Sequence, residues 1–150
     1  MGYDFGVGRE APTFTLSAVD GSEIRLNQYR GDWFTVLAFI PTQTPAAVET
    51  LERLSKAAGT IWGLRGQLVG LCDAGRDECL ALAAQVPGLA FPLLPDDGAV
   101  ARQYGALRKD GTVRPMAFIV DRAGKIVWTG EGEAALKAPK LIAAFRDVVR

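Results

Sequence analysis

The sequence predicts an α/β fold with a central mixed sheet, helices on both faces and a β-hairpin at the N-terminus. The segment WFTVLAFI (33–40) is almost continuously apolar and rich in β-forming residues, which is typical of a strand covered on both faces. An amphipathic helix follows, because apolar residues recur at helical spacing from Val48 to Ile61. Strands and helices then alternate until an antiparallel hairpin near the C-terminus. Parallel crossovers combined with this hairpin predict a mixed sheet of about five strands.

Turn and cap residues divide the N-terminal half into elements. Asp20-Gly21 lies between FTLSAV and SEIRL and favours a tight hairpin turn. Thr44-Pro45 predicts the start of the first helix, with Thr44 as N-cap and proline in the first helical position. A second buried strand is predicted over 67–72. A helix over 76–86 follows, and Pro-Gly ends it.

Turn and cap residues also divide the C-terminal half into elements. The predicted elements are a strand at 91–94, a helix capped by Asp96-Asp97 and ending near Tyr104, a hairpin of 116–120 and 125–129, and a helix over 136–149. Pro139 either kinks the last helix or moves its start to about that point, because proline is tolerated only in the first turn of a helix.

Composition excludes several classes of function. The length of 150 residues suits one domain. Seventeen basic and seventeen acidic side chains give zero net charge, so no overall positive field is present to attract nucleic acid. The absence of histidine excludes Ser-His-Asp and Cys-His nucleophile pairs and imidazole-ligated metals. Two cysteines are too few for a disulfide framework, and neither a metal nor a cofactor is predicted.

Hydropathy and charge also suggest where the chain is found and how it associates. No segment approaches the roughly 20 apolar residues needed to cross a bilayer. The N-terminus, MGYDFGVGRE, lacks the basic start and apolar run of a signal peptide. We therefore expect a cytoplasmic protein without membrane partners. Because the balanced charge removes repulsion between copies, we also expect a homodimer.

Four segments carry a recognisable pattern: VGREAPTFTLSAVDGSEIRLNQYRGD (7–32), LVGLCD (68–73), LAFPLLPDDGAVARQYGAL (89–107) and RPMAFIVDRAGKIVWTGEG (114–132). Together with the strand ending in FIP and the helix opening in TP, they resemble the peroxiredoxins of the alkyl hydroperoxide reductase/thiol-specific antioxidant family. The resemblance covers residues 7–132. It implies a thioredoxin-like fold, thiol-dependent peroxide reduction, a thioredoxin-type reductant and pairing through the loops around the active site.

The reactive loop departs from the family pattern. Family peroxidases carry a proline, then a threonine, and then the peroxide-attacking cysteine three residues after that threonine. Here the loop reads PTQTPAA from Pro41, so the resemblance places the nucleophile position on Ala47, with Thr44 and Pro45 beside it. In length the loop is closer to that of thioredoxin, whose two cysteines would fall on Thr44 and Ala47. Engineered substitution and inherited loss both explain Ala47, and the departures at neighbouring positions favour inherited loss.

The loop before the predicted strand 116–120 allows two interpretations. Three residues before Phe118, where family peroxidases carry an arginine and thioredoxins a cis-proline, this chain has Pro115, and Arg114 precedes it. A cis bond before proline costs only about 0.5–1 kcal/mol relative to trans. Arg114 is either a surface charge or points at the helix start near Thr44, where the two would form an anion-attracting pocket.

The two cysteines are the other candidates for thiol chemistry. Cys72 ends a parallel strand on the side where the Thr44 loop is expected, so Cys72, alone or with Cys79, is a candidate for a displaced thiol function. Some family members place a resolving cysteine in the region of Cys79. The alternative is two reduced, partly buried thiols, since a strand end and a helix two turns further on need not meet.

Two hypotheses for the function follow. In the first, the chain is a peroxiredoxin-like redoxin that lacks the standard peroxidatic cysteine and is catalytically altered or inactive. In the second, it is a redox-inactive binding module with an anion pocket at Thr44 and Arg114, and its ligand is a small anion. A peroxide is the substrate that the family resemblance implies.

Overall fold

The structure is a computed structural model that describes residues 6–26, 31–42 and 44–149. Residues 1–5 of the N-terminus, 27–30 of the first family-like segment and 43 of the reactive loop lie outside the described residues. The elements, in chain order, are β1 (Thr15–Ser17), β2 (Glu23–Arg25), β3 (Phe34–Ile40), α1 (Ala47–Gly63), β4 (Gly66–Cys72), α2 (Arg76–Ala84), β5 (Leu93–Pro95), α3 (Ala99–Gln103), β6 (Met116–Val120), β7 (Ile126–Glu131), a 3₁₀ helix (Glu133–Leu136) and α4 (Ala138–Val149).

Five of these strands form the main sheet, in the order β5-β4-β3-β6-β7. β3, β4 and β5 are parallel neighbours, while β6 pairs antiparallel with β3 and β7 antiparallel with β6. The central strand β3 has all seven residues buried, as its continuous apolar sequence predicts. The predicted mixed sheet of five strands is confirmed.

Helices cover both faces of this sheet, as predicted. α1, α2 and α4 contribute Leu51, Cys79 and Phe145, among others, to a core on one face. α3 and the hairpin β1–β2 cover the opposite face, where Tyr104 packs edge-on against Phe118. The Tyr104 hydroxyl donates a hydrogen bond to the Pro12 carbonyl at 2.6 Å, and burial raises the pKa of this phenol above its ordinary value.

The N-terminal hairpin forms where its turn residues predict it. Leu16 pairs with Ile24, and Gly21 at the turn has a φ of +90°, which glycine adopts without a steric penalty. The Asp20 carboxylate accepts hydrogen bonds from the Ser22 hydroxyl and amide at 2.6 and 2.9 Å. These hydrogen bonds favour the ionised form and lower the pKa of Asp20.

Element boundaries differ from the predicted ones where local hydrogen bonds decide them. α4 begins at Ala138 with Pro139 as its second residue, so proline displaces the helix start rather than kinking the helix. Asp96 accepts hydrogen bonds from the amides of Val100 and Ala101 at 3.2 and 3.0 Å, which is the predicted capping role, although α3 itself begins at Ala99. Within the described residues, no helix combines the length and the apolar composition needed to span a membrane.

Candidate functional site

The predicted site residues meet at one edge of the main sheet. Because β3 and β4 are parallel, they end at the same edge, where Ile40 pairs with Cys72. β6 runs the opposite way and begins at this edge, where Met116 pairs with Phe39. The loop from Pro41, the end of β4 and the residues just before Met116 therefore lie side by side. Ligands of open α/β sheets gather at this kind of edge.

The first strand–helix junction at this edge, residues 41–47, carries no thiol. α1 begins at Ala47, and its N-cap residue Ala46 makes no side-chain capping hydrogen bond. The prediction that Thr44 caps the helix is therefore wrong: the Thr44 carbonyl accepts a hydrogen bond from the Ala47 amide at 3.2 Å, so residues 44–47 form a turn before the helix. Ala47 is 4% exposed. A buried methyl group stands at the positive end of α1.

Arg114 makes an ion pair at this edge. Its Nη1 lies 2.6 Å from Oε1 of Glu131, and both side chains are partly exposed. This contact puts an acidic partner beside the arginine that the sequence offers as an anion ligand. Sequence reasoning missed Glu131, because only the register shift between Ile119 and Val120 places it opposite Met116, next to the Arg114 loop.

The bond before Pro115 is not the cis bond that thioredoxins carry at this position. Every peptide bond among the described residues is trans, including the bond between Arg114 and Pro115. The Pro115 carbonyl accepts a hydrogen bond from the Gly132 amide at 2.8 Å, which extends the β6–β7 pairing by one step. The trans form is the intrinsically preferred one. The loop therefore differs from a thioredoxin loop in this respect.

A hydrogen-bonded bridge joins the loops that follow β3 and β4. Oδ1 of Asp73 accepts hydrogen bonds from the Thr42 amide at 2.7 Å and from the Thr42 hydroxyl at 2.6 Å. Both residues are half-buried, so the bridge is shielded from competing water. Sequence analysis missed this pair. The available signal was that both residues follow closely after two adjacent parallel strands.

The second strand–helix junction, residues 72–79, carries both cysteines of the chain. Cys72 is the last residue of β4 and Cys79 lies in the first turn of α2, with their Cα atoms 6.5 Å apart. The two are joined by a disulfide. The alternative of two separate reduced thiols is therefore wrong for this structure. α2 begins at Arg76, as predicted, so Cys79 lies in its first turn, and the separation of the two Cα atoms is within the range that a disulfide requires.

Both half-cystines are buried, with exposures of 1% for Cys72 and 0% for Cys79. The chain segment between the two cysteines is accessible: Gly75, Arg76, Asp77 and Glu78 are exposed. In the described residues, no group of three or more cysteine, aspartate or glutamate side chains is arranged to hold a metal ion. The edge therefore combines a covered disulfide, a thiol-free helix start and one arginine–glutamate ion pair.

Comparison with known proteins identifies the family of the chain. The family model described as AhpC/TSA matches residues 7–129. The chain belongs to the AhpC/TSA family. A Mycobacterium tuberculosis (strain ATCC 25618 / H37Rv) relative that carries a peroxiredoxin name is 32% identical over 129 residues, which cover 80% of this chain and 81% of that protein.

Solved structures agree with this assignment. The Mycobacterium tuberculosis peroxidoxin BcpB has a TM-score of 0.83 at 26% identity, over 95% of this chain and 97% of that one. The reduced 2-Cys peroxiredoxin of Plasmodium vivax has a TM-score of 0.84 at 23% identity, over 95% of this chain and 81% of that one. This AhpC/TSA-family chain thus has the thioredoxin-like fold expected from its sequence.

Within this AhpC/TSA-family fold, Pro41, Thr44, Pro45 and Ala47 form the first junction, Cys72 and Cys79 the second, and Arg114 and Pro115 the adjacent loop. The assignment of Ala47 to the position of the family's peroxidatic cysteine rests on the loop motif and stays a prediction. The same holds for the roles of Thr44 and Arg114 as activating residues.

Proposed function

We propose that this chain is a thiol–disulfide redox protein of the AhpC/TSA family in which Cys72 and Cys79, rather than position 47, carry the two exchangeable electrons. The observation that supports the proposal is the disulfide between these residues. It uses both cysteines in the sequence and lies at the sheet edge next to the family's reactive loop. The standard peroxidase step is absent, because the methyl group of Ala47 has no lone pair with which to attack a peroxide oxygen.

The proposed cycle balances without a cofactor. A reductant thiolate attacks one sulfur of the disulfide, and the other cysteine leaves as a thiolate that takes up a proton. A second reductant thiolate then attacks the mixed disulfide, so that an oxidised reductant pair and a Cys72–Cys79 dithiol result. In the return step a cysteine thiolate attacks the O–O bond of a peroxide, releasing an alcohol or water and leaving a sulfenic acid. The second thiol condenses with the sulfenic acid and releases water.

The family suggests the partners of this cycle. A peroxide is the proposed oxidant, and a thioredoxin-type dithiol the proposed reductant. A cytoplasmic location is part of the proposal. Disulfides that form in the reducing cytosol are usually catalytic or redox-sensing rather than structural, which agrees with a redox-active Cys72–Cys79 pair. A homodimer is proposed from the balanced net charge, and sedimentation at micromolar concentration tests it: a strictly monomeric species contradicts that part.

Peroxide consumption in the presence of dithiothreitol tests the function. The wild-type chain should consume peroxide slowly. One of the variants Cys72→Ala and Cys79→Ala should abolish turnover, because it lacks the attacking sulfur. The other should keep part of it, because dithiothreitol can condense with the sulfenic acid in place of the second cysteine. Ala74→Ser, in the link between them, is the matched control and should keep turnover. Equal consumption by the wild type and the double variant Cys72→Ala/Cys79→Ala would overturn the proposal.

The second candidate, an anion-binding module at Thr44 and Arg114, has one observation in its favour. Arg114 lies just before Met116, which pairs with Phe39, so the arginine is next to the loop that opens α1. Its ion pair with Glu131 opposes anion binding, since the carboxylate competes for the guanidinium. Isothermal titration with inorganic phosphate tests this candidate. Binding that tightens in Glu131→Gln and is lost in Arg114→Gln would support it, and unchanged heats in all three proteins would contradict it.

A further inference from the structure

The chain on either side of the Cys72–Cys79 disulfide is acidic. Between Gly66 and Gly98 the chain has five acidic residues and one basic residue, namely Asp73, Asp77, Glu78, Asp96, Asp97 and Arg76. The exposed pair Asp77 and Glu78 lies directly before Cys79 in the first turn of α2. Any molecule that reaches the sulfurs past this turn therefore crosses a negative potential.

A cavity next to the disulfide is also acidic. It has a volume of about 500 Å³ and is lined on one side by Asp73, Ala74 and Gly75, which are part of the link between the two cysteines. Asp96 and Asp97 line the same cavity, and none of its described lining residues is basic.

Three basic side chains lie near this cavity and keep their positive charge. Arg76 donates a hydrogen bond to the Val19 carbonyl at 3.3 Å. In the loop on the far side of the cavity, Arg108 donates to the Thr112 hydroxyl at 3.3 Å. Lys109 follows Arg108 in that loop and is exposed. These three cations are fewer than the five acidic residues Asp73, Asp77, Glu78, Asp96 and Asp97, so the net charge around the cavity and the disulfide stays negative.

We infer that the thiol which reduces the Cys72–Cys79 disulfide is neutral or cationic, and that the acidic cover excludes anionic thiols. This inference rests on the proposed redox function and adds the chemical class of the reductant. The attacking thiolate already carries one negative charge, so an additional anionic group on the same molecule is repelled. A protein reductant would need a neutral or basic surface around its reactive thiol.

Three small thiols of similar size separate the effect of charge from the effect of access. Cysteamine carries an ammonium group, 2-mercaptoethanol is neutral, and 2-mercaptoethanesulfonate carries a sulfonate. Rates of disulfide reduction are measured by alkylation and intact mass, and are expressed per thiolate to correct for the thiol pKa values. At low salt we expect cysteamine to be on the order of tenfold faster than the sulfonate, with mercaptoethanol between them. In about 1 M salt, where the Debye length is about 3 Å, the three rates should converge.

A charge-neutralised variant and a matched control test whether the differences in reduction rate among the three thiols come from the acidic residues before Cys79. Asp77→Asn/Glu78→Gln should raise the rate of the sulfonate and reduce the spread among the three thiols. Glu10→Gln/Asp32→Asn makes the same change in net charge at exposed positions near the opposite end of the sheet and should leave the spread unchanged.

The outcomes separate this inference from the proposed function. If all three thiols reduce the disulfide at equal rates at low salt, the inference is wrong while the redox function stands. If the two double variants reduce the spread equally, the effect belongs to net charge and the inference is also wrong. If no disulfide forms in the isolated protein, the proposed function and the inference fail together.

Discussion

Two neighbouring strand–helix junctions of this chain have the same architecture and different chemistry. After β3, residues 41–46 lead to α1, and after β4, residues 73–75 lead to α2. Both junctions lie at one edge of the sheet, and the Thr42–Asp73 hydrogen bonds join them. The first ends in a methyl group at Ala47, whereas the second holds a disulfide between Cys72 and Cys79.

The two junctions share a strand–loop–helix arrangement and differ in whether sulfur is present. Each junction aims the partial positive charge of a helix N-terminus at the sheet edge, which stabilises a thiolate when one is present. At the first junction there is no sulfur to ionise. At the second, the sulfurs are covalently paired and buried, so chemistry there requires an incoming thiol.

The largest expected effect is a gain of function at the first junction. Ala47→Cys should consume peroxide on the order of a hundredfold faster than the wild type, because the amides at the start of α1 stabilise the thiolate and the developing charge. The pKa of the introduced thiol, measured by alkylation against pH, should lie below about 8.5. Ala47→Ser is the matched control and should show no gain. An introduced thiol with an ordinary pKa and no gain in rate would show that position 47 is not the family's reactive position.

Reduction of the Cys72–Cys79 disulfide should lower the free energy of unfolding by about 2.5 kcal/mol, since the disulfide restricts the unfolded chain over a short loop. The measurement is urea unfolding of the wild-type chain with and without a phosphine reductant. Cys72→Ala/Cys79→Ala should unfold at the same urea concentration in both conditions. A wild-type midpoint that does not respond to reductant would contradict a disulfide that stabilises this junction.

The Thr42–Asp73 bridge between the junctions should contribute less to the free energy of unfolding than the disulfide does. Thr42→Val removes the hydroxyl that donates to Asp73 and should cost about 1–2 kcal/mol, because a half-buried carboxylate loses a hydrogen bond. Thr112→Val is the matched control: the Thr112 hydroxyl donates to Asp110 with the same 2.6 Å separation in an exposed turn. Its cost should be smaller, since water replaces the lost donor. Equal costs in urea unfolding would mean that the Thr42–Asp73 bridge is no stronger than a surface turn.

The smallest effect concerns the ion pair beside the first junction. Arg114→Gln and Glu131→Gln should each lower the free energy of unfolding by about 0.5 kcal/mol, since partly exposed ion pairs contribute little. The double variant should cost no more than either single variant if the pair acts as a unit. A loss above about 2 kcal/mol would assign the pair a structural role comparable to a buried network.

The sheet and its covering elements could be predicted from the sequence because their signals are local. The apolar run that becomes β3 and the Asp20-Gly21 turn each specify one element without reference to distant residues. The start of α1 could not be predicted in the same way. Thr44-Pro45 is a good capping pair, but the chain forms a turn there and the helix begins two residues later.

The contacts of the site depend on distances between elements. The disulfide requires the first turn of α2 to pack against the end of β4, and the predicted helix start at Arg76 does not fix where the helix lies relative to the strand. The Arg114–Glu131 pair depends on the register of β6 and β7, which shifts between Ile119 and Val120. Neither the placement of α2 against β4 nor the register shift follows from the spacing of residue types, so neither contact could be predicted from the sequence.

Tryptic digestion of the native chain under non-reducing conditions tests whether Cys72 and Cys79 form a disulfide that opens and closes reversibly. Trypsin cleaves after Arg76, between the two cysteines, so the peptides 66–76 and 77–102 stay together only through the disulfide. We expect peroxide-treated protein to yield the linked pair, a thioredoxin-type reductant to separate it, and renewed peroxide to restore it. Two separate peptides with free thiols after peroxide treatment would rule out the proposed redox cycle, and so would a linked pair that no reductant opens in the native protein.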